Sequence, residues 1–204
     1  MTTRTIALVS AGLGQPSSTR LLADRLAEAT VADLADRGIR AEVVPFELRD
    51  VAHDITNAML TGFPTGDLRG MLETVTGADG VIAVTPIFTT SYSGLFKSFV
   101  DIIDKDALTD VPVLVGATGG TPRHSLATEH SIRPVFTYLR ADVVTTAVFA
   151  ATEDWAGQDD VNPLPSRIRR AGAELAAKIA SREPRGGARD EFAAVPSFAQ
   201  MLGG

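Results

Sequence analysis

Five short apolar runs, each separated from the next by segments of helical period, constrain this chain more than any other feature. Thr5–Val9 is β-branched and apolar on both faces, as a buried strand must be. Ala41–Phe46, Val81–Val84, Val111–Val115 and Val143–Phe149 read the same way. Between them the period changes to that of a helix. Leu22, Leu26 and Ala29 mark a helix over 18–36, and weaker helices cover 50–60 and 67–76. Leu95, Phe96, Phe99, Ile102 and Ile103 form the apolar stripe of the next. Another covers 124–140, with Pro134 expected to kink it. The last carries Ile168, Gly172, Leu175 and Ile179 on one face.

Strands alternating with helices predict a parallel sheet covered on both faces, with right-handed crossovers. Five strands fit a three-layer flavodoxin-like α/β sandwich, order 2-1-3-4-5, better than the six-stranded dinucleotide fold. One domain is expected over 1–183. Pro184–Arg189 then reads as a linker to a tail over 190–204.

Composition removes several chemistries. With no cysteine among 204 residues there are no disulfides, thiolate metal sites or thiol nucleophiles. Three scattered histidines, His53, His124 and His130, argue against a histidine metal centre. The formal net charge of −6 lacks the basic surplus of a nucleic-acid-binding protein. No apolar run approaches a membrane span and the start does not read as a secretion signal, so a cytoplasmic protein is expected.

In such a sheet ligands bind beyond the carboxyl ends of the strands. Three exits stand out. The first, Ser10 to Arg20, lacks the third glycine of a dinucleotide fingerprint, since Ser17 falls there, and lacks the lysine of a P-loop. It keeps a cluster of hydroxyls, Ser17, Ser18 and Thr19, at a helix N-terminus, where backbone N–H groups and the helix dipole favour a phosphate. The plainer alternative is a simple helix cap. The second exit, Thr85 to Leu95, sets Ile87, Phe88 and Tyr92 among small polar residues and suits a flat ring system; alternatively its aromatics pack on the core. The third, Ala117–Thr121, carries Gly119–Gly120, which would let the backbone approach a ligand closely or would merely turn.

These segments together resemble the NAD(P)H-dependent FMN reductases of the flavodoxin-like superfamily, especially those that supply reduced flavin to two-component monooxygenases. The likeness runs from Arg4 to about Ala151. Its specific parts are Thr85-Pro86-Ile87-Phe88 with Tyr92–Lys97, and Ala117–Gly120 with His124, Leu126-Ala127 and Arg133-Pro134. The resemblance implies that Ser10, Ser17, Ser18 and Thr19 hold the FMN phosphate. It implies that Pro86, Ile87, Phe88, Ser91 and Tyr92 line the ribityl chain and ring, and that Thr118, Gly119 and Gly120 reach the pyrimidine edge. Gly14 stands where many members carry a phosphate-binding arginine, with Arg20 as a candidate substitute; His124 is read as a helix cap.

The implied activity is hydride transfer from NADPH or NADH to FMN, with no catalytic side chain beyond the flavin. A quinone or azo reductase, or a one-electron carrier, are the alternatives. A homodimer or tetramer is expected through the apolar helix that starts near Leu95, unless the core uses that helix fully. The tail, with Phe192, Val195, Phe198, Met201 and Leu202, is expected to dock on a surface, a frayed terminus being the alternative.

Overall fold

A computed structural model describes residues 3–155 and 163–185. The expected tail and most of the expected linker therefore lie outside the described residues. The strands are β1 (Arg4–Ser10), β2 (Ala41–Glu47), β3 (Gly80–Phe88), β4 (Ser91–Tyr92), β5 (Pro112–Gly119), β6 (Asp142–Val143) and β7 (Val148–Ala151). The helices are α1 (Ser18–Asp36), α2 (Ala52–Thr61), α3 (Gly66–Gly77), α4 (Gly94–Asp101), α5 (Arg133–Tyr138) and α6 (Leu164–Ala180).

The parallel path runs β2-β1-β3-β5-β6, with β7 also on β5 and β4 antiparallel to β3. Class and layering agree with the sequence, but the sheet has seven strands among the described residues rather than five. The two extra pieces have separate causes.

First, the expected fifth strand is cut in two. Val144 N–H still donates to the Val113 carbonyl, and the ladder resumes only at Val148 opposite Gly116. Side chains from elsewhere hold the intervening backbone. The Arg133 guanidinium donates to the Val144 carbonyl at 2.7 Å and the Thr145 carbonyl at 2.8 Å. The Glu174 carboxylate accepts from the Thr146 N–H at 2.7 Å and from its hydroxyl at 2.6 Å.

Second, β3 does not stop at Thr85-Pro86. It continues to Phe88 and turns back through Thr89-Thr90 into β4, pairing Ile87 with Tyr92 and Phe88 with Ser91. Thr89 and Thr90 have φ of 47° and 72°, the primed two-residue turn that matches strand twist. Threonine is a poor occupant of that region, because its branched Cβ crowds the backbone.

The alternation within each strand sorts the core into two layers. Ile6, Leu8, Ile82, Val84 and Leu114 face α1 and α6, meeting Leu22, Leu26, Leu34, Leu175 and Ile179. Ala7, Val9, Val81, Ala83, Val113 and Val115 face α2 to α5. There α4 buries Phe96, Phe99 and Val100, and Leu95 and Ile102 pack against the same layer. Most of the apolar arc of α4 thus packs on the core of its own chain, with Leu95 and Ile102 left partly exposed.

The expected helix over 124–140 is helical from 127 to 138 but irregular. A 3-10 turn (Pro122–His124) and a π-helical turn (Thr128–Ile132) precede α5. Pro134, which has no N–H to donate, follows directly on the π-helical turn inside a helical run over 127–138, so the helix is deformed where the kink is expected.

Candidate functional site

The first and third strand exits, and the approach to the second, converge on one cleft of about 420 Å³. Nine of the twelve expected site residues line it: Ser17, Ser18, Thr19, Pro86, Ile87, Phe88, Thr118, Gly119 and Gly120. The parallel order makes this inevitable, since β1, β3 and β5 are neighbours and end on the same side. Among the described residues no charged side chain lines the cleft.

The three hydroxyls of the first exit do three different jobs. Ser17 is the cap of α1, its Oγ accepting from the Arg20 N–H at 3.2 Å. Thr19 is buried, and its hydroxyl shares a 2.8 Å hydrogen bond with that of Thr118, which ties the first exit to the third. Ser18 is exposed. The first turn of α1 carries no acid, so its positive end is not neutralised from within. Gly12 is required beneath this loop, because a Cβ there would lie 2.0 Å from Ser17 Oγ.

Ser10 stands at the end of β1, fully buried, and its hydroxyl has no partner. A buried hydroxyl without a hydrogen bond costs stability unless something completes it.

At the second exit Thr85 Oγ1 accepts from the Ser93 N–H at 3.2 Å, and Ser93 in turn caps α4 through the Phe96 N–H. These bonds fix the start of the hairpin that presents Phe88, which is 47% exposed. Ser91 and Tyr92 lie across the hairpin. They line a separate groove between α4 and α5, with the Tyr92 ring 6.0 Å from that of Phe96.

The two glycines of the third exit differ. A Cβ on Gly119 would meet the Phe149 ring at 2.8 Å, so packing demands glycine there. A Cβ on Gly120 would meet nothing within 4 Å. Space, not contact, surrounds the second glycine on the cleft side.

Two expectations about individual residues are corrected. Arg20 does not serve the loop: its guanidinium pairs with Asp24 at 2.8 Å and Glu47 at 3.1 Å, and the bond to Asp24 is the main cause of its raised pKa. Arg49 is the arginine that touches the loop, donating to the Gly14 carbonyl at 3.0 Å. His124 caps no helix; it is exposed at the end of a 3-10 turn whose N-cap, Thr121, makes no side-chain cap bond.

Sequence reasoning missed Leu13, Pro16, Thr152 and Trp155 as cleft residues. Trp155 follows β7 on a 3-10 turn and is covered by the Arg25 guanidinium, 5.1 Å from the ring centre. The short hydroxyl- and aromatic-bearing turn at a strand exit was the available signal.

Comparison with known proteins agrees with the arrangement. Residues 4–156 match the family model described as NADPH-dependent FMN reductase. The FMN reductase (NADPH) of Pseudomonas aeruginosa is 34% identical over 175 residues, covering 85% of this chain and 91% of that protein. The NADH-dependent FMN reductase SfnF of Pseudomonas fluorescens is 35% identical, covering 85% and 90%. Among solved structures, an oxidoreductase from Corynebacterium diphtheriae superposes with a TM-score of 0.85 at 44% identity, over 89% of this chain and 99% of that one. The apo form of an NADH:FMN oxidoreductase superposes with a TM-score of 0.72 at 27% identity, over 88% and 90%.

Proposed function

Since the chain belongs to the NADPH-dependent FMN reductase family, we propose that it reduces FMN at the cleft where its strand exits meet, taking electrons from a nicotinamide dinucleotide. One observation carries the assignment to this cleft: a hydroxyl-lined helix N-terminus, an exposed aromatic and an open glycine come together, with no charged side chain between them among the described residues. The residues fit FMN. Its phosphate needs N–H and O–H donors and no competing carboxylate, which the first turn of α1 provides, with Ser18 and Ser17 at its mouth. The unpartnered Ser10 hydroxyl fits the same polar end. Its ring needs apolar contact and a close backbone, which Pro86, Ile87, Phe88, Gly119 and Gly120 supply. Ser91 and Tyr92 support the hairpin that carries Phe88, one step from the ring.

Bound FMN supplies the hydride-accepting chemistry. The protein's part is positioning. The Thr19–Thr118 hydrogen bond fixes the spacing between the phosphate and ring ends of the cleft. Backbone at Gly119 and Gly120 offers dipoles to the ring edge where charge develops. Phe88 and Trp155, both in the lining, would help to keep water from the ring. In this reading no side chain is asked to shuttle a proton.

Reduced flavin passes to a flavin-dependent monooxygenase, in a cytoplasmic homodimer or tetramer; the sequence resemblance supports these finer points. Among the described residues no helix is long and apolar enough to cross a membrane. The test is steady-state oxidation of NADPH and NADH by the purified chain with FMN, FAD and a quinone as acceptors. FMN should be the preferred acceptor; a quinone turned over faster than FMN would move the chain to the quinone reductases.

A further inference from the structure

Arg123 and His124 stand side by side and exposed on the 3-10 turn Pro122–His124, which begins two residues beyond the cleft residue Gly120. Pro122 opens that turn with its ring-fixed φ, so the pair is presented by a stiff segment. Other arginines around this end of the sheet are already engaged. Arg20 holds Asp24 and Glu47, Arg49 holds Glu47 and the Gly14 carbonyl, and Arg25 covers Trp155. Arg133 holds Glu129 and the backbone of 144–145. Arg123 has no ion pair with any described residue. The cleft itself offers no cation.

Among the described residues, the cation that follows the cleft lining most closely in sequence and has no ion pair is thus Arg123. We propose that Arg123, with His124 beside it, recognises the 2′-phosphate of NADPH and makes this reductase selective for NADPH over NADH. The inference rests on the reductase reading above. Relatives named for NADPH and for NADH are about equally similar to this chain, so kinship alone does not choose between them. The guanidinium fork matches two phosphate oxygens at once, and an imidazole N–H adds a third donor. NADH presents a neutral hydroxyl at the same position and gains nothing from either group.

The test is steady-state kinetics of the full chain with each nicotinamide at saturating FMN, for the unmodified protein, Arg123→Ala and Arg123→Lys. The unmodified protein should favour NADPH in kcat/KM. Arg123→Ala should raise KM for NADPH about tenfold or more, as expected for loss of a charge-assisted hydrogen bond, with kcat little changed. KM for NADH should stay within about twofold, and Arg123→Lys should recover part of the loss. Added salt should raise KM for NADPH in the unmodified protein and much less in Arg123→Ala. An unmodified protein that favours NADH, or an Arg123→Ala variant whose NADPH and NADH constants move together, overturns the proposal. Failure of the unmodified protein to reduce FMN with either nucleotide would overturn the reductase reading and the proposal with it. FMN affinity measured separately should be the same in all three proteins.

Discussion

The two ends of the sheet use polar groups in opposite ways. At the amino end a set of buried polar groups is spent on the protein itself, although the buried Thr109 hydroxyl has no partner. Asp79, just before β3, accepts from the Arg4 guanidinium at 3.1 Å, from the Thr5 N–H at 2.7 Å and from the Arg185 N–H at 2.9 Å. Arg4 also donates to the Arg182 carbonyl, and Asp142 is held by Lys178 and Arg182. At the carboxyl end the lining is uncharged, Ser10 keeps an unpartnered hydroxyl, and Gly120 keeps open space. One end closes the fold; the other leaves valences and volume for something that is not protein.

The comparison breaks most visibly at Asp79. Asp79→Ala leaves Arg4 a buried cation, 9% exposed, without its carboxylate, and deprives two backbone N–H groups of their acceptor. Loss of one partner of a buried pair costs about 3–5 kcal/mol. Urea unfolding should show that loss, while FMN affinity of the folded fraction stays unchanged. A weakened flavin site in the folded protein would mean that the two ends are not independent.

Acid should act on the same side of the division. Burial pushes the Asp142 carboxyl up, but the bonds from Lys178 and Arg182 outweigh it and hold the group below its ordinary value. Arg133 does the same for Glu129. Carboxylates with lowered folded pKa values contribute stability that is full above their unfolded values, about 4, and is lost as pH falls through the lower folded values. Melting temperature should therefore drop below about pH 4, and Asp142→Asn should flatten that part of the profile. An unaltered profile in the variant would remove Asp142 from the account.

A smaller effect belongs to the hairpin beside the cleft. Thr90, at φ 72°, sits where glycine is at ease. Thr90→Gly should stabilise the protein by about 1 kcal/mol in denaturant, the relief of strain exceeding the entropic cost of glycine. A destabilised variant would show that the threonine side chain earns its place by a contact.

What the sequence made legible follows the same division. Period and β-branching disclose β1, β2, β3 and β5 and the helices α1 and α6, because one apolar layer on each face decides them. Thr89-Thr90 carries no turn signature, so the hairpin stayed hidden. The cut in the last strand depends on Arg133 and Glu174 reaching in from other elements, which no local pattern records. Arg20 left the first loop to Arg49 because a guanidinium goes to whichever carboxylate the fold brings near, here Asp24 and Glu47. The residues of the three exits were legible because small, polar and glycine-rich strand ends have little else to do.

The most direct test is Gly120→Val. Apart from its chain neighbours, no atom of the described residues lies within 4 Å of the added Cβ, so unfolding free energy should stay within about 0.5 kcal/mol of the unmodified chain. If the flavin ring occupies that space, FMN titrated by fluorescence quenching should bind at least about tenfold more weakly, the cost of displacing a close backbone contact. Equal FMN affinity in a variant of unchanged stability would contradict the assignment of the cleft.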